Sequence, residues 1–153
     1  MSEVFFYHLT RSPLQALVPD LAEKSLSRGW RVSLRAREQA RLKWFSDHIW
    51  RFGDTSFLPH GLAGGDFDQD QPILLETTKN TKIQADILLL VDDAEFSPSE
   101  AADYQRVCLL FDGNDHTALS QARNQWRAVT AAGVPAQYWS QEDGPWQKKA
   151  SST

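Results

Sequence analysis

Six short apolar runs, set apart by stretches of helical periodicity or by turn-forming residues, constrain this chain more than any other feature. They are Val4 to Leu9, the alternating segment Trp30 to Ala36, Ile73 to Thr78, Ile87 to Val91, Arg106 to Phe111 and Ala136 to Gln141. Each has the length of a strand rather than a helix. From Pro13 onward, Leu14, Leu17, Val18, Leu21, Ala22 and Leu26 recur every three or four residues, and Gly29 supplies the left-handed residue a helix end favours. Pro19 falls inside this stretch and is expected to break it into a turn and a helix. A second helix is predicted over Glu38 to Phe52. A third is predicted from His116 to Ala132, capped by Asp115 and stopped by Gly133 and Pro135. In Trp30 to Ala36, Val32 and Leu34 fall on one side and Arg31, Ser33 and Arg35 on the other. Residues 53–72, with four glycines, two prolines and four aspartates, read as one long loop. Strands alternating with helices predict an open three-layer α/β fold, a mostly parallel sheet with helices on both faces.

At 153 residues the chain is long enough to bury one core, and 41% hydrophobic with 24% charged residues is ordinary for a globular domain. The expectation is a single domain over residues 1–147 followed by a flexible tail at 148–153. No run of 18 apolar residues occurs, and the opening MSEVFFYHLT lacks the features of a signal peptide, so a cytoplasmic protein is expected. The one cysteine, Cys108, sits in the apolar run RVCLLF and reads as a small buried hydrophobe. The net charge of −4 gives non-specific phosphate binding no help from the overall field.

Enzymatic chemistry finds little support. An open parallel sheet binds nucleotides through a glycine-rich loop directly after a strand, yet the first strand runs into HLTRSPLQ, without a glycine. The fold expected is thus Rossmann-like without a phosphate-binding loop. The four histidines, His8, His48, His60 and His116, are scattered singly and make no metal-binding pair, so no metal or other cofactor is expected. Asp92 and Asp93 follow a strand end, where α/β active-site acids sit. A nucleotide-binding or Mg-dependent phosphotransfer enzyme built on these two is the alternative reading, set against a solvated acidic turn.

Recognition has more to stand on. In QARNQWR, Arg123 and Arg127 are four residues apart and Trp126 is three from Arg123, so the three project over neighbouring parts of one helix face. Two guanidiniums beside an indole suit an acidic peptide with an apolar side chain. The same spacing also describes a core stripe of Leu119, Ala122, Trp126 and Val129 flanked by solvated arginines, and spacing alone does not separate the two. A second candidate is Trp50 to Leu62, where large apolar groups, Phe57 and Leu58 among them, run from a helix into a glycine- and proline-rich loop.

Four segments taken in order, VFFYHL, DHIWRFGDTSFLPHGLAGG, ADILLLV and ARNQWRAVTAAG, resemble the chi subunit of bacterial DNA polymerase III. The most specific piece is W-x₆-F-L-P-H-x-L-A-G, Trp50 through Gly64, and the resemblance runs from about residue 3 to about residue 147. It implies an accessory subunit of the clamp-loader assembly, without an active site of its own, that links the polymerase to single-stranded DNA-binding protein. The implied grip on that protein's acidic, Pro-Phe-ended C-terminal tail falls on Arg123, Trp126 and Arg127, with Leu119 where the family has a further lysine. The implied contact with the partner subunit psi falls on Trp50 and Phe57, with Leu58 beside them. DNA is met only indirectly in this reading, and no membrane is involved.

Overall fold

The run EVFFYHL forms β1, Glu3–Leu9, the strand around which the rest of the sheet is laid. The structure, a computed structural model, describes residues 2–10, 14–50, 60–62, 71–77, 85–92, 94–141 and 146–152. After β1 come α1 (Leu14–Ser27), β2 (Val32–Arg35), α2 (Gln39–Trp50), β3 (His60–Leu62), β4 (Ile73–Glu76) and β5 (Ile87–Leu90). A 3-10 helix, Pro98–Asp103, then leads to β6 (Arg106–Asp112), α3 (His116–Ala131), β7 (Ala136–Ser140) and β8 (Gln147–Ser152). The strands make one sheet in the order β3-β4-β2-β5-β6-β1-β7-β8, parallel at every step except β7 to β8.

β1 pairs with β6 through Phe6↔Leu109 and with β7 through Phe6↔Tyr138. Successive strand residues face opposite ways, so β1 serves two cores. Phe5 and Leu9 pack with Leu17 and Val18 of α1 and with Leu42 and Phe45 of α2. Val4 and Phe6 pack on the other side with Ala118, Ala122 and Val129 of α3. α1 carries the chain from β1 toward β2, whereas α3 carries it from β6 across β1 to β7. With right-handed crossovers, those opposite directions of travel place the helices on opposite faces. The three-layer arrangement expected from the alternating pattern is the one observed.

Local differences have physical causes. Pro19 does not break α1, which runs through it. The missing N–H costs one helical hydrogen bond, and burial of Leu17, Val18 and Ala22 against the sheet holds the helix across the gap. Gly29 and Gly133 do adopt the left-handed backbone expected after α1 and α3, with φ of 79° and 78°. The polar side of β2 is buried rather than solvated. Ser33 donates to a Glu76 carboxylate oxygen at 2.6 Å, and Arg35 donates to the Glu95 carbonyl and the Glu100 carboxylate, each at 3.1 Å. Partners 43 to 65 residues away make that strand two-sided.

The loop read over residues 53–72 contains a strand, β3, which extends the sheet beyond β4. His60 ties it to α2, its Nε2 lying 2.9 Å from the Ser46 hydroxyl and 3.1 Å from the Ser46 carbonyl. The segment expected to be a flexible tail is β8, paired antiparallel with β7. Trp146, just before it, packs edge-on against Tyr7 at 5.3 Å on the α1 side of the sheet.

Cys108 lies in β6 with its side chain buried, and burial pushes its thiol up to about 12. The group is neutral at ordinary pH, and only the thiolate reacts. Native protein at pH 8 should therefore leave an aromatic disulfide reagent unconsumed for as long as it stays folded, and should release one equivalent of chromophore on denaturation. Rapid labelling of the native chain would contradict this placement.

Candidate functional site

α3 starts where Asp115 accepts hydrogen bonds from the amides of Thr117 at 2.9 Å and Ala118 at 3.3 Å. Buried Ala118, Ala122 and Val129 then set the helix's rotation on the sheet. That rotation leaves Arg123 and Arg127 exposed and Trp126 half-buried. Trp126 stands edge-on to Phe6 of β1, 5.3 Å between ring centroids, and to Tyr138 of β7 at 6.0 Å. Phe6 and Tyr138 stack on each other at 6.4 Å. The two readings of QARNQWR thus meet in one residue, since Trp126 belongs to the core stripe on one side and to the surface on the other.

Arg123, Trp126, Arg127, Tyr138 and Ala150 line a cleft of about 380 Å³. Tyr138 and Ala150 enter it because they face each other across the β7–β8 ladder. Neither was legible as a site residue. An aromatic at an alternate position of β7 was the only available signal for Tyr138, and nothing in the sequence marked Ala150. Leu119 is half-buried and packs against the core.

The electrostatics are lopsided. α3, β7 and β8 together carry Arg123, Arg127, Lys148 and Lys149 and not one carboxylate, in a chain whose net charge is −4. Among the described residues neither arginine has a carboxylate partner; Arg127 reaches only its own helix, donating to the Asn124 side chain at 3.4 Å. Both guanidiniums therefore present donors to solvent at the mouth of an aromatic-floored cleft.

The floor is braced from behind. His8 Nδ1 and the Tyr138 hydroxyl share a hydrogen bond of 2.8 Å, and the His8 ring packs against Phe111 at 5.2 Å. Gly113 makes this possible, because a Cβ there would lie 1.8 Å from His8 Nε2.

The same residues fill the place where an open α/β sheet usually binds nucleotides, the crevice between two strands whose connections run in opposite directions. Here those strands are β6 and β1. The His8 ring lies against Gly113 there, and the first amides of α3 already bond the Asp115 carboxylate. A negative group occupies the position a phosphate needs. Asp92, of the alternative enzymatic reading, is held bidentately by Arg41, whose guanidinium also lies 4.3 Å from the Trp44 ring centroid. Asp93 lies outside the described residues. No group of three or more His, Cys, Asp or Glu that could hold a metal occurs among the described residues, and no described helix is long and apolar enough to cross a membrane.

The second candidate surface is only partly described. Trp50 ends α2, and its side chain, like Phe57 and Leu58, lies outside the described residues. α2 packs at the β3 and β4 edge, whereas the cleft lies at the β7 and β8 edge. Inter-strand steps of about 4.8 Å put those edges roughly 30 Å apart.

Fold and site define a class, an open three-layer α/β domain that gathers side chains suited to holding a ligand. The chain belongs to the family of the DNA polymerase III chi subunit, HolC, whose family model matches residues 1–137. That family is an accessory subunit of the polymerase, a component of DNA replication. No individual curated protein matches the chain significantly. The family match includes all of α3 and stops within β7, so β8 lies beyond it.

Gly113→Ala tests the bracing of the floor. The added methyl must displace a ring packed between Phe111 and Tyr138, a class of overpacking that costs roughly 1–3 kcal/mol. Thermal unfolding should show this as a lowered Tm, and the same substitution in a His8→Ala background should cost clearly less. Equal losses in the two backgrounds would show that the His8 contact is not the cause.

Proposed function

We propose that this chain is a non-catalytic adaptor of the replicative polymerase, acting in the cytoplasm. In this reading the α3 cleft takes the acidic, Pro-Phe-ended C-terminal tail of single-stranded DNA-binding protein and so links that protein to the clamp-loader assembly. The observation that carries the reading is the cleft itself, with two arginines that have no carboxylate partner among the described residues, over an aromatic floor on elements that bear no acidic residue. Carboxylates of the tail pair with the forked guanidiniums of Arg123 and Arg127, and its terminal apolar side chain packs against Trp126 and Tyr138. In place of the family's lysine, Leu119 offers the peptide apolar contact rather than a third charge. Trp50, Phe57 and Leu58 form the contact with the psi subunit or another clamp-loader component. α2, which ends at Trp50, packs some 30 Å across the sheet from the α3 cleft, a separation that suits a link between two partners. Contact with DNA is indirect.

Titration of a synthetic tail peptide tests the cleft. Arg123→Ala and Arg127→Ala should each weaken binding about tenfold, the effect of removing one partly exposed charge-assisted pair worth ~1.4 kcal/mol. Raising salt from 0.1 to 1 M shortens the screening length from about 10 to about 3 Å and should weaken the wild type more than either variant. Equal peptide affinities for the wild type and both variants would dismiss the assignment. Trp126→Ala is a poor probe, because that ring also packs on Phe6 and its loss damages the fold.

A further inference from the structure

We infer that β8 is a working wall of the peptide cleft, and that residues 147–152 help to hold the acidic peptide which the preceding reading assigns to α3. The inference rests on that reading and adds a second element to it.

Four observations lead to β8. Among the described residues it is the only element besides α3 and β7 to line the cleft, through Ala150. Its register is fixed, with Ala150 opposite Tyr138 and Gln147 opposite Ser140, and a shift in pairing near Lys149 takes up one extra residue. It is anchored from the other face of the sheet, where Trp146 packs on Tyr7. Finally, Lys148 and Lys149 are exposed on this strand, and β8 brings no carboxylate. A strand with that charge extends the field of Arg123 and Arg127 along the direction in which a bound peptide would run.

Ala150 is what gives the cleft its depth. It projects from the same face as Tyr138, and a methyl group there leaves open the space over the Tyr138 and Trp126 rings. A large side chain at 150 would lie across that space. The occupant is therefore an acidic peptide whose apolar terminal side chain enters between the α3 arginines and β8. Its carboxylates pair with the guanidiniums of α3, while the lysines of β8, which do not line the cleft, add positive field along its edge.

Full-length variants and a fluorescently labelled acidic peptide ending in Pro-Phe provide the test, read by anisotropy. Ala150→Trp should weaken binding at least tenfold with a Tm close to wild type, whereas Ala150→Ser should bind like wild type. Lys148→Glu combined with Lys149→Glu should weaken binding several-fold at 0.1 M salt, with the difference shrinking at 1 M. Backbone amide NMR provides a readout that does not depend on a substitution, since adding peptide to the wild type should shift the Ala150 amide along with those of α3. If Arg123→Ala loses the peptide while Ala150→Trp keeps it and the β8 amides stay in place, the wall is overturned and the α3 site survives. If Arg123→Ala also binds like wild type, both fall.

Discussion

The contact on which the rest depends is the packing of Phe6 against Trp126 and Tyr138. Phe6 is fully buried on β1, and removing such a ring from water is worth roughly 1.5–3 kcal/mol. Its two aromatic neighbours come from the helix and the strand that follow β6, so one side chain locks α3 and β7 to the middle of the sheet. Trp126 cannot rotate away from the surface without leaving Phe6, and Tyr138 cannot tilt without leaving both His8 and Phe6. The cleft is rigid because its floor is the outer side of the core.

The long-range order of the fold was legible where local chemistry and tertiary packing agree. β1, β5 and β6 are runs too apolar to be anything but buried strands, and α3 carries its own start in Asp115 and its stop in Gly133. Legibility failed where a strand exists only because of its neighbour. β3 is three residues with a central glycine, made a strand by pairing with β4 and by the His60 tie to Ser46. β8, QKKASS, has no β-branched residue and is strand because β7 and Trp146 hold it. The burial of Ser33 and Arg35 of β2 was not legible, since Glu76 and Glu100, which receive them, lie far along the chain.

The site divided in the same way. The spacing of Arg123, Trp126 and Arg127 put them on one face, but rotation of α3 about its axis, set by buried Ala122 and Val129, decides how much of Trp126 reaches solvent. Tyr138 joins them only because β7 pairs with β1 and brings it opposite Phe6. Spacing within a helix is written locally, whereas adjacency across a sheet depends on strand order.

Strand order also has a consequence in time. Glu3 pairs with Arg106, so β1 leaves the ribosome more than a hundred residues before its first partner. At about 5–20 residues per second, this central apolar strand waits roughly 5–20 s with both edges open. β7 follows later, and β8 later still. The α3 cleft is accordingly among the last features to be assembled, completed only after the central strand has been covered on both sides.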